Sequence, residues 1–150
     1  MRLAIARRSR YEKPMLASIS HGSPVDAPRL LIAHGLYGSA RNWGAIAKRL
    51  SDTRQVVAVD MRNHGESPWY DTHCYTDMAD DLAAMVTDPS DVLGHSMGGK
   101  AAMVLALTRP ELVRRLVIAD IAPVRYTHTQ LSIFVAMRAV YLSRVYNRRD

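Results

Sequence analysis

The chain has 150 residues, 48% of them hydrophobic and 23% charged, which is one domain's worth of sequence with material for a core. Its net charge of +6 sits at the ends: Arg2, Arg7, Arg8, Arg10 and Lys13 face only Glu12, and Arg138, Arg144, Arg148 and Arg149 face only Asp150. Residues 15–137 are close to neutral, so no basic face for nucleic acid follows. Cys74 is the only cysteine, which excludes an intramolecular disulfide and suits a reducing, cytoplasmic setting.

Residues 1–14 read as a basic extension ahead of the globular pattern, without the long apolar segment of a secretory signal. No apolar run reaches the roughly eighteen residues of a membrane span. A first strand is expected over 15–20, then a turn-rich stretch, then a short buried strand over 29–33. Ser39 can cap a helix that places Trp43, Ile46, Ala47 and Leu50 on one face. Residues 55–59 are the next buried strand. Thr76 opens an amphipathic helix with Met78, Leu82, Met85 and Val86 inward and Asp77, Asp80 and Asp81 near its start. A strand over 116–119 ends at Asp120, and a last helix is expected over about 130–145. Strands alternating with helices predict a mostly parallel, doubly wound α/β sheet.

The stretch Asp91-Val-Leu-Gly-His-Ser-Met-Gly-Gly-Lys100 organises the rest. It reads as a strand, a tight turn and the start of an apolar helix, and Gly94-His-Ser-Met-Gly98 fits the G-x-S-x-G elbow that lifts a serine hydroxyl clear of a sheet. Its glycines allow the sharp turn and the close approach of strand and helix. Charge developing beside the serine would lie at a helix N-terminus, where free N–H groups favour it.

Three motifs in order, His34-Gly-Leu-Tyr-Gly-Ser39, Asp60-Met-Arg-Asn-His-Gly-Glu-Ser67 and Gly94-His-Ser-Met-Gly-Gly-Lys100, together with Ala119-Asp-Ile-Ala-Pro123, resemble the esterase-like branch of the α/β-hydrolase superfamily. The resemblance covers about 15–130. It implies an α/β-hydrolase core over 15–126, with 127–150 as the incomplete start of a cap following the sixth strand. It implies a serine hydrolase acting on small acyl esters or thioesters through an acyl-enzyme, with no cofactor. Ser96 would be the nucleophile, the backbone N–H groups of Leu36 and Met97 the oxyanion hole, and Asp120 the acid that orients a histidine. For Asp120, capping of the following turn is the competing reading.

The triad order of the family, Ser then acid then His, leaves no histidine of this chain in the matching place. His95 is expected to point away from Ser96, His34 and His64 to brace loops, and His21, His73 and His128 to lie on the surface. Three readings therefore stay open: the N-terminal portion of a hydrolase, an inactive truncated remnant, or a half-protein completed by another chain. The strand ending at Asp120 would form an exposed edge inviting self-association. The histidines and Cys74 lack metal-ligand spacing. Lys100 lacks phosphate-loop spacing and is expected to pair with a neighbouring acid.

Overall fold

A computed structural model describes residues 15–23, 26–126 and 131–140. The extension at 1–14, His128 and the end of the last predicted helix lie outside these residues. Five strands form one sheet: β1 (Ser18–His21), β2 (Leu30–Ala33), β3 (Val56–Val59), β4 (Ser90–His95) and β5 (Val113–Ala119). Their order across the sheet is β1-β3-β2-β4-β5, with β1 antiparallel to β3 and all other pairs parallel. Four helices accompany them: α1 (Gly44–Leu50), entered through a 3-10 turn at Ala40–Trp43, then α2 (Tyr75–Ala84), α3 (Met97–Thr108) and α4 (Leu131–Arg138). The strand that leads to Asp120 is thus the fifth among the described residues, and it starts three residues before the predicted 116.

The apolar runs follow from burial on both faces of the sheet. Leu31, Ala33, Val57, Val59 and Val92 pack beneath α2 and α3, against Met78, Leu82, Ala101 and Leu105. Leu30, Ile32, Val56 and Ala58 face the opposite way and pack with Ala40 and Ala47. Each fully buried Leu, Ile or Val here contributes roughly 1.5–3 kcal/mol. The inward face of α2 is the one its sequence spacing predicts, with Met78, Leu82, Met85 and Val86 all buried.

Three elements differ from expectation. In α1 only Ala47 is buried, while Ile46 and Leu50 are exposed, because the short helix touches the sheet along one narrow line. His21 is half-buried as the last residue of β1, and its buried Nε2 has no hydrogen-bond partner among the described residues. In α4, Leu131, Val135 and Met137 are all at least half exposed, so these three do not join the core.

The order of the parallel strands fixes where a site can form. From β2 the chain moves outward to β3, then returns past β2 to β4 on its other side. The C-terminal ends of β2 and β4 therefore flank the switch point where ligands lodge in open α/β sheets. β2 leads into His34, and β4 leads into Ser96.

Candidate active site

Ser96 occupies the single position between β4 and α3, with φ 49° and ψ −113°. A non-glycine residue in this region carries strain on the order of 1–3 kcal/mol and persists only where its surroundings hold it. The surroundings here are tight. A Cβ added at Gly98 would lie 2.5 Å from the His34 carbonyl oxygen and would also strike that of Ala33. One at Gly94 would lie 2.5 Å from the Gly98 oxygen. The Ser96 N–H donates to the Ala119 carbonyl at 3.0 Å, and the Lys100 N–H donates to the Ser96 carbonyl at 3.1 Å, so the elbow is tied both to β5 and into α3.

A cavity of about 380 Å³ opens above Ser96. The buried Met78 and Met97 line it, together with Leu36, His73, Tyr75, Lys100, Ile121 and Tyr126. Ser96, Leu36 and Met97 thus share one space. Met97 is the first residue of α3, so its N–H has no intrahelical acceptor. Asp120 follows β5 with φ 56°, and its side chain is 88% exposed. Its carboxylate lies 3.7 Å from His95 Nε2 and is not part of the cavity wall. His95 itself lies under the loop after β2, with its ring edge-on to Trp43 at 6.1 Å.

The loop after β2 is held by two histidine rings. His34, 1% exposed, has Nδ1 2.7 Å from the Gly35 carbonyl and accepts the Met61 N–H at Nε2 (2.9 Å). One ring nitrogen donates while the other accepts, so this ring is neutral. Burial is the largest influence on it and pushes its pKa below the ordinary histidine value; the nearby His64 and His95 act in the same direction. Burial also lowers the pKa of His73, with help from His64 and Arg62.

These depressed values fix the sign of a pH dependence. Above about pH 6.5 the rings are neutral folded or unfolded, and their contribution is fully present. As pH falls below that value the unfolded chain takes up protons that the folded chain resists, and stability drops. Urea unfolding between pH 8 and 5 should show this decline, with a shallower slope in a His73→Gln variant. An equal slope in both would contradict it.

The motif over 60–67 is structural. Asp60 accepts the Ala40 N–H (2.7 Å) and the Glu66 N–H (2.9 Å), while Ser67 Oγ donates to the Asp60 carbonyl. The Arg62 guanidinium, 2% exposed, forks onto Asp81 at 2.5 and 3.0 Å and reaches Asp77 and the Thr72 hydroxyl at 2.9 Å. Lys100 corrects an expectation. Instead of an acid, it donates to the Val124 carbonyl and lies 5.1 Å from the centre of the Tyr126 ring. The first turn of α3 is thereby strapped to the segment after Asp120. The polar linker over 69–73 is the sequence stretch expected to border the pocket, and His73 at its end does line the cavity; the places of Tyr75 and Tyr126 left no signal in the sequence.

A family model described as the alpha/beta hydrolase fold matches residues 28–144. The chain belongs to the α/β-hydrolase family. It is 43% identical over 121 residues to the sn-1-specific diacylglycerol lipase ABHD11 of Mus musculus, covering 75% of this chain and 39% of that protein. It is 40% identical over 126 residues to Esterase YbfF of Escherichia coli (strain K12), covering 81% of this chain and 50% of that one. Among solved structures, one titled Marine microorganism esterase superposes with a TM-score of 0.81 at 37% identity, covering 90% of this chain and 55% of the other. This chain thus spans between two fifths and just over half the length of these relatives. No helix among the described residues is long and apolar enough to cross a membrane.

Proposed function

We propose that this chain carries the nucleophile, oxyanion hole and acid of a serine hydrolase acting on small acyl esters or thioesters. The observation that carries the reading is the strained Ser96, held at the end of β4 in one cavity with Leu36 and Met97. Ser96 Oγ attacks the acyl carbon, and the oxyanion that develops is received by the Leu36 and Met97 N–H groups. The alcohol or thiol leaves with a proton, and water releases the acyl group from Ser96. Asp120, at the end of β5, orients the histidine that moves those protons. The esterase and lipase names of the relatives support this chemistry.

The proton-moving histidine is not among those described. The His34 and His64 rings are committed to backbone groups, and His95, although 3.7 Å from Asp120, is not part of the wall of the Ser96 cavity. No hydrogen bond to the Ser96 hydroxyl occurs among the described residues. Residues 15–126 supply the core of the site, and 127–150 begin the cap that selects the substrate. The outer edge of β5, with Val117 half exposed, is where the remainder of a sheet or a second copy would add. That same edge favours a second reading, a core completed by another chain that pairs along β5. The exposed Cys74, alone in the sequence, suits a cytoplasmic setting.

Hydrolysis of p-nitrophenyl butyrate by the 150-residue chain, beside Ser96→Ala, separates these readings. No Ser96-dependent turnover is expected, since loss of the base removes several orders of magnitude of rate. A clear Ser96-dependent rate would contradict this and imply an unexpected base, such as His128, or a complementing chain.

A further inference from the structure

We propose that His34 and His64 are positioning residues, which together fix the two peptide planes on either side of Leu36 and so aim its N–H into the Ser96 cavity. The inference rests on the oxyanion role given to Leu36 above and extends it to side chains with no place in that chemistry.

A trans peptide unit is planar, with its C=O and N–H pointing in opposite directions. Whatever grips one end therefore sets the other. The Gly35 carbonyl is gripped twice, by His34 Nδ1 at 2.7 Å and by the Gly38 N–H at 3.0 Å. That fixes the direction of the Leu36 N–H in the same plane. The next plane is fixed through its N–H, since Tyr37 donates to His64 Nε2 at 3.1 Å. Tyr37 has φ 61°, a left-handed conformation costly for a bulky side chain, and the His64 bond offsets part of that cost. Without it the Leu36–Tyr37 plane can turn, and Leu36 turns with it.

His64 can accept from Tyr37 only in one form. Its Nδ1 lies 2.9 Å from the Arg62 carbonyl, so Nδ1 carries the proton and Nε2 is the acceptor. The two rings also brace each other, edge to face with centroids 5.1 Å apart. Both are anchored in the 60–67 segment, through the Met61 N–H and the Arg62 carbonyl. The conformation of one loop is thus written into the other.

Butylboronic acid tests this without needing turnover. Ser96 Oγ adds to boron, its proton leaves to solvent, and the tetrahedral anion presents an oxygen to the Leu36 and Met97 N–H groups. Binding is expected in the 150-residue chain and absent in Ser96→Ala. It should be roughly tenfold weaker in His64→Phe, a misaimed rather than a missing donor. His64→Gln, which keeps an acceptor at the Nε2 position, should recover most of that loss. Amide exchange at Tyr37 should speed up in His64→Phe, and long-range 1H–15N correlation should find His64 protonated on Nδ1. Unchanged boronate binding in His64→Phe, whatever the exchange, overturns the proposal and leaves the role of Ser96 intact. So does a His64 protonated on Nε2, a result that stands even if the variants fail to fold. Equal binding in the parent and in Ser96→Ala overturns the functional reading itself.

Discussion

An Arg62→Met variant is expected to lose about 3–5 kcal/mol of stability, the cost of breaking a buried ion pair from one side. The guanidinium and the Asp81 carboxylate are both almost wholly removed from water, with side chains 2% and 3% exposed. The bond to Asp81 is the largest influence on Arg62 and holds it more firmly protonated than usual. Removing the cation takes both guanidinium hydrogen bonds from Asp81, a buried residue of α2. Arg62→Lys should fall between, keeping the charge while losing the two-pronged fork. Adding Asp81→Leu to Arg62→Met should restore part of the loss, because the buried negative charge goes with it. Urea unfolding of the four proteins reads all of this. A loss below about 1 kcal/mol in Arg62→Met, the range of an exposed pair, would contradict the buried network.

Gly98→Ala is the second large effect, at about 3 kcal/mol, the upper range for overpacking. The added methyl would meet two backbone carbonyls, those of Ala33 and His34, and neither can rotate aside as a side chain could. Either α3 lifts from the sheet or the loop after β2 moves, and both routes disturb the space around Ser96. Gly44→Ala is the matched control with the opposite sign. Gly44 opens α1 with φ −53° and ψ −45°, and a methyl there meets nothing within 4 Å. It should stabilise the chain by about 0.5–1 kcal/mol. Thermal unfolding of the two variants beside the parent checks both, and equal effects at the two glycines would contradict the close approach at the elbow.

Much of this arrangement is legible in the residues themselves. β2 and β3 announce themselves as short apolar runs because both of their faces are covered. The Gly94-His-Ser-Met-Gly98 spacing marks the elbow because few residue types fit where strand and helix nearly touch. What stays hidden depends on contacts between distant segments. Arg62 and Asp81 are nineteen residues apart, and nothing local in either marks a buried pair. The same is true of the stacking of His73 on His64, with ring centres 5.7 Å apart, which only the folded chain brings together. Lys100 misleads for a different reason. A lysine in a first helical turn calls for an acid, yet here a carbonyl and an aromatic face receive it. The amphipathic pattern of α4 reads as a packed helix, but pattern alone does not supply the surface it packs on.

The central claim is that Ser96 is the group that takes the acyl chain. Prolonged incubation of the 150-residue chain with p-nitrophenyl butyrate, followed by peptide mapping by mass spectrometry, tests it most directly. Oxyanion stabilisation alone retains roughly 10³–10⁴-fold over water, enough for slow, site-specific acylation without a base. The expected result is one butyryl group on the peptide containing Ser96, lost in Ser96→Ala. Acyl groups scattered over lysines or on Cys74, with Ser96 untouched in a folded sample, would contradict it.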